Sequence, residues 1–161
     1  MKSKNKIKKM FKKQKKQQEG TAKAQRYLRF LFIGSEGSGT KTSFVEKLAG
    51  AKGNPVYKEV FVRETNFVLE LWDSPDESVN DADCVVIGYD LTDRDPYNSA
   101  LYGSEGVFKR NPNALRVVIG NKLDLVGDRK VSVSEGRILT DVANASVYCE
   151  GIGPLHLLFV R

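Results

Sequence analysis

Three short stretches of the chain, RYLRFLFI (26–33), CVVIGY (84–89) and ALRVVI (114–119), are almost continuously apolar and rich in β-branched and aromatic residues. A strand with one wet face alternates apolar and polar side chains, so uninterrupted runs of this kind belong to strands covered on both faces. Helical spacing separates them. Phe44, Val45, Leu48 and Ala49 follow a glycine-rich turn, a weaker amphipathic stretch runs from about Tyr97 to Lys109, and Ile138, Leu139, Val142 and Ala143 follow Val133-Ser134. Buried strands alternating with helices predict an α/β fold of three layers, a mostly parallel sheet between helices. Right-handed crossovers then bring the loops after these strands to one carboxyl edge, where a ligand is expected.

The remaining segments fit around that frame. VYKEVFVR and FVLELWD flank Glu64-Thr65-Asn66 and predict a hairpin turning at those three residues. After Asp73 the polar run SPDESVNDAD, with Pro75 inside it, predicts a loop. Ser146 to Cys149 predicts a short strand, and Pro154 to Val160 a final short helix.

The 161 residues suit one ordinary domain, expected over residues 23–161. Residues 1–22 differ in kind. The first 20 hold nine Lys and one Glu, a surplus of +8 that exceeds the whole-chain value of +6 and leaves the rest at −2. With only Ile7, Met10 and Phe11 as sizeable apolar side chains, this segment is expected to stay disordered and to solubilise. The alternative is peripheral contact with an acidic membrane through residues 1–20. A body near neutrality argues against nucleic acid as a partner. Cys84 and Cys149 sit in apolar runs, as free thiols do in a reducing compartment, and a cytoplasmic location is expected. His156 is the one histidine, so no transition-metal ligand set emerges, and no apolar run is long enough to span a bilayer.

Two motifs carry chemistry. The first strand runs into Gly34-Ser35-Glu36-Gly37-Ser38-Gly39-Thr40-Lys41-Thr42. Glycines let the backbone curl until its N–H groups converge on phosphate oxygens, and the following helix adds its positive end. Gly34, Gly37, Ser38, Gly39 and Thr40 would form the cradle, Lys41 would place a charge on the β and γ phosphates, and Thr42 would offer a hydroxyl to Mg²⁺. The usual spacing is Gly-x-x-x-x-Gly-Lys-Ser/Thr, and here Thr40 stands between Gly39 and Lys41. Either one residue is inserted, or Ser35 and Thr40 replace the two glycines; an ordinary tight turn uses the same residue types.

The second motif, Asn121-Lys122-Leu123-Asp124, directly follows a buried strand. A carboxylate at Asp124 can accept from both N–H donors on the Watson–Crick side of guanine. Adenine lacks that pair and would leave the carboxylate unsatisfied, so discrimination comes from a cost. Asn121 could bond to the base edge and to the phosphate loop, and the Lys122 stem could lie over the purine.

With GSEGSGTKT, LELWDSPDE and NKLD in this order, the chain resembles the Ras-like small GTP-binding proteins of the P-loop superfamily over about residues 26–160. The resemblance implies a six-stranded sheet, GTP/GDP with Mg²⁺ as ligands, Asp73 holding the metal through water beside Thr42, and an effector or scaffold protein as partner. It also exposes departures. The family's Asp-x-x-Gly-Gln reads Asp73-Ser74-Pro75-Asp76-Glu77, which puts two carboxylates where phosphate is sensed and water is oriented. Only 31 positions separate Thr42 from Asp73, so the first switch is expected to be cut away, and Thr65 reads as a turn residue and not as its metal-binding threonine. Ten positions from Asp73 to Asp83 leave no room for the second-switch helix, and the Ser-Ala-Lys loop has no match near Ser146 or Glu150. No catalytic residue is nominated. The expectation is a guanine-nucleotide-binding protein with weak or partner-dependent hydrolysis, and the alternative a pseudo-GTPase serving as an interaction module.

Overall fold

The computed structural model describes residues 26–34, 40–62, 65–73 and 80–151, with the side chains of 40–44, 102 and 103 left aside. The elements in chain order are β1 (Arg26–Ile33), α1 (Thr40–Ala49), β2 (Val56–Val62), β3 (Thr65–Trp72), β4 (Cys84–Asp90), α2 (Arg94–Gly103), α3 (Glu105–Arg110), β5 (Leu115–Asn121), a 3-10 segment (Leu123–Asp128), α4 (Val133–Val142) and β6 (Val147–Glu150). The expected final helix, the basic segment and most of the SPDESVNDAD loop lie outside the described residues.

Six strands form one sheet in the order β2-β3-β1-β4-β5-β6. All neighbours run parallel except β2, which pairs antiparallel with β3. Each apolar run feeds both faces, as its lack of alternation requires. From β1, Phe30 and Phe32 pack with Leu69, Leu71, Val86, Val117 and Ile119 under Val45 of α1. Leu31 and Ile33 turn the other way and pack with Val85, Ile87 and Val118 under Tyr97 and Ala100 of α2, Val107 of α3 and Leu139 of α4. Burying such side chains contributes about 1.5–3 kcal/mol each, and β4 is buried along its whole length. The three-layer expectation is met.

Two local expectations need correction. Val62 pairs with Thr65 and Phe61 with Asn66, so both Thr65 and Asn66 belong to β3 and not to the turn. Thr65 also begins β3 while Asp73 follows its end, about 26 Å away at 3.3 Å per residue. The amphipathic stretch expected from Tyr97 to Lys109 is two helices starting earlier. Asp93 caps α2 by accepting from the Asp95 N–H at 3.1 Å, and Pro96 is tolerated because it falls in the first turn, where no intrahelical N–H is needed. The break comes at Gly103-Ser104, two residues of low helix propensity.

Candidate functional site

The four parallel neighbours β3, β1, β4 and β5 deliver their last residues to one edge, with β6 beside them. Gly34 follows β1 there and α1 opens at Thr40, so Lys41 and Thr42 occupy its first turn. Thr40 is therefore the first helical residue and not a loop residue. Gly37, Ser38 and Gly39 lie outside the described residues. Asp73 directly follows β3, the strand next to β1. A hydroxyl and a carboxylate are hard oxygen donors, so Thr42 and Asp73 fit the ligand class Mg²⁺ prefers. Among the described residues no cluster of three or more His, Cys, Asp and Glu could hold a metal alone, so phosphate and water oxygens would have to complete the set.

Across the sheet, β5 ends at Asn121, paired in register with Asp90 of β4. Because β4 separates β1 from β5, the turn after β1 and the turn after β5 stand two strand spacings apart, about 10 Å. Ile33 is level with Ile87, and Ile87 with Val118, so Asn121 also lies three residues further along the strands, again about 10 Å. An extended nucleoside diphosphate is long enough to bridge that offset.

Lys122 turns the chain sharply, in the left-handed region at φ 63° and ψ 38°. The 3-10 segment then begins, with the Leu125 N–H donating to the Lys122 carbonyl at 3.0 Å and Asp124 exposed at the edge. Asn121 is buried, and its carbonyl accepts from the Leu91 N–H at 3.1 Å.

The Lys122 ammonium meets the buried Asp90 carboxylate at 2.5 Å. Asp90 also accepts from the Thr92 N–H at 2.8 Å and its hydroxyl at 2.7 Å. Burial by itself would raise this carboxyl, but the bonds from Lys122 and Thr92 outweigh it and hold the group below the usual carboxylate range. The sequence reading missed Asp90, although a carboxylate ending an otherwise apolar strand at the ligand edge was a usable signal.

The end of β6 adds a second polar group. Glu150 receives both ends of the Arg129 guanidinium, Nη1 on Oε1 at 3.0 Å and Nη2 on Oε2 at 2.5 Å. The Tyr148 hydroxyl donates to the same Oε1 at 2.6 Å and lies 3.3 Å from the Tyr89 hydroxyl. Arg129 holds the Glu150 carboxyl below its usual value, against burial and with help from Tyr148. Burial and the neighbouring carboxylate push the Tyr148 phenol up, so it stays a donor.

The link from α1 to β2 is six residues, 50–55. α1 is ten residues, about 15 Å, and leaves the carboxyl edge; near its end the Leu48 carbonyl accepts from the Lys58 ammonium. β2 begins back at that edge, where Val56 pairs with Leu71 and Asn54 Oδ1 accepts from the Asp73 N–H at 3.3 Å. Six residues reach about 20 Å at most, so retracing the helix uses most of the link.

A model of the Ras family matches residues 29–151, more than half of the chain. The chain belongs to the Ras family. Its members are small GTPase-like nucleotide-binding proteins, and the match takes in α1, Asp73 and the Asn121-Lys122-Leu123-Asp124 turn. No helix among the described residues is long and apolar enough to cross a membrane.

Proposed function

We propose that this Ras-family chain binds GTP and GDP along the carboxyl edge and hydrolyses GTP slowly or only with a partner's help. The observation carrying the proposal is the offset between the end of β1, which leads to the helix bearing Lys41, and the end of β5, which leads to the exposed Asp124; it is about the span of a nucleoside diphosphate. Gly34 and the first turn of α1 would receive the phosphates, with the helix's positive end and Lys41 countering their charge. Thr42 and Asp73 would hold Mg²⁺, which when bound neutralises charge developing on the phosphates. Asn121 would meet the base edge. Asp124 would take both guanine donors.

Slow hydrolysis follows from the residues available. The short link between α1 and β2 contains no threonine and has little slack, and Thr65 begins β3 at its far end. A group supplied in trans would have to orient the attacking water. The same taut link favours a second reading, an interaction module without nucleotide. Calorimetry with GDP and Mg²⁺ on the wild type and Asp124→Asn separates the two. Tenfold or greater loss in the variant is expected; wild-type titrations without heat, together with no nucleotide released from gently purified protein, would leave the module.

A further inference from the structure

The turn carrying Asp124 lacks an apolar anchor. No residue of Leu123–Asp128 is buried, and Leu123, Leu125 and Val126 are 41%, 43% and 66% exposed. A short 3-10 segment of this kind does not hold its own shape. Its two ends must therefore be fixed from outside. At the entry, Lys122 takes a left-handed conformation and its ammonium rests on Asp90. At the exit, the Arg129 N–H donates to the Val126 carbonyl at 3.3 Å, while its guanidinium reaches the Val131 carbonyl at 3.1 Å and both oxygens of Glu150.

We propose that Arg129, Glu150 and Tyr148 are positioning residues: they clamp the Asp124 turn to the end of β6 and so set how strictly the site demands a base with two N–H donors. The inference rests on the nucleotide reading above. The pair is shielded, with side chains 22% and 14% exposed, so it is a two-point bond between charges with little competing water. Glu150 has no freedom to follow a loosened turn. It ends a strand paired to β5, the next N–H, that of Gly151, donates to the Gly120 carbonyl at 2.7 Å, and the Tyr148 hydroxyl occupies one of its oxygens. Tyr148 is fixed in turn, because its hydroxyl and that of Tyr89 crowd Gly136 of α4 so closely that a Cβ there would collide with both. The position of Asp124 is thus referred to β6 and α4 through one chain of polar contacts. Two hydrogen bonds to one base require closer alignment than one, and the two-donor preference is the property that slack should erode first.

The test uses the full chain and two readouts, amide hydrogen exchange over residues 122–129 without nucleotide, and the affinity ratio of GDP to inosine diphosphate, which lacks the second donor. Arg129→Gln is expected to speed exchange there at least tenfold and to reduce the ratio at least fivefold. Arg129→Lys, which keeps charge but loses the fork, should fall between. Glu150→Gln keeps the side chain's size and replaces Arg129→Gln if that variant does not fold. Equal weakening toward both nucleotides, or exchange unchanged in a folded variant, would overturn the clamp while leaving the nucleotide reading intact. A wild type that binds neither nucleotide would remove the nucleotide reading itself, and one that binds both equally would remove the clamp's role in base recognition.

Discussion

Gly136→Ala sets two opposing effects against each other at one atom. Gly136 lies in the first half of α4, and alanine there should stabilise the helix by about 1 kcal/mol. The added Cβ, however, would fall 2.5 Å from the Tyr89 hydroxyl, 2.6 Å from Tyr148 Cε2 and closer still to the Tyr148 hydroxyl. Ordinary contact lies between 3.4 and 4 Å, so both rings must withdraw by about 1 Å. Overpacking of this order costs roughly 1–3 kcal/mol, and retreat of Tyr148 also breaks its bond to a charged acceptor, about 1.5–3 kcal/mol. After the helix gain, a net loss of about 1.5–5 kcal/mol remains, or a thermal midpoint lower by about 3–20 °C for a domain of this size. Urea unfolding followed by far-UV circular dichroism measures it. Tyr148→Phe removes one of the colliding atoms, so the double variant should be more stable than the sum of the two single losses implies, by about 1 kcal/mol. A Gly136→Ala protein as stable as the wild type, or additive losses in the double variant, would refute the packing argument.

Asp90→Asn leaves the Lys122 ammonium without its anion. Since that side chain is 40% exposed and can turn to water, the loss should be about 1–2 kcal/mol, below that of a fully buried pair, and a urea midpoint unchanged from wild type would contradict it. Glu135, held by the Ser132 N–H, by Arg94 and by the Ser132 hydroxyl, has its carboxyl lowered to about 2 from 4.5. A folded value below the unfolded one means that its contribution is complete above pH 4.5 and lost as pH falls toward 2; Glu135→Gln should flatten the thermal midpoint over that window, and parallel curves would refute the assignment.

How far the chain could be read depended on whether a role was local. Leu31, Val86 and Val118 advertise buried strands because every neighbour in sequence is apolar as well. Asn121 and Asp124 stand in one motif, so their joint placement needed no knowledge of the sheet. Asp90 and Lys122 are 32 residues apart and Arg129 and Glu150 are 21 apart. Their partnerships exist only because β4, β5 and β6 are neighbours in that order, which no spacing along the chain encodes. Helix limits were misjudged for a related reason. Asp93 and Pro96 look like loop residues in isolation and become a cap and a first turn once α2 has a sheet to lie on.

The six residues from Gly50 to Pro55 are all the chain there is between α1 and β2. A long loop wrapped over a bound phosphate gives neighbouring proteins a shape to recognise. So short a link has little length left over for a wrapping of that kind. If the proposed nucleotide binds there, a partner on that side would have less reshaped protein to read and more of the ligand's own chemistry.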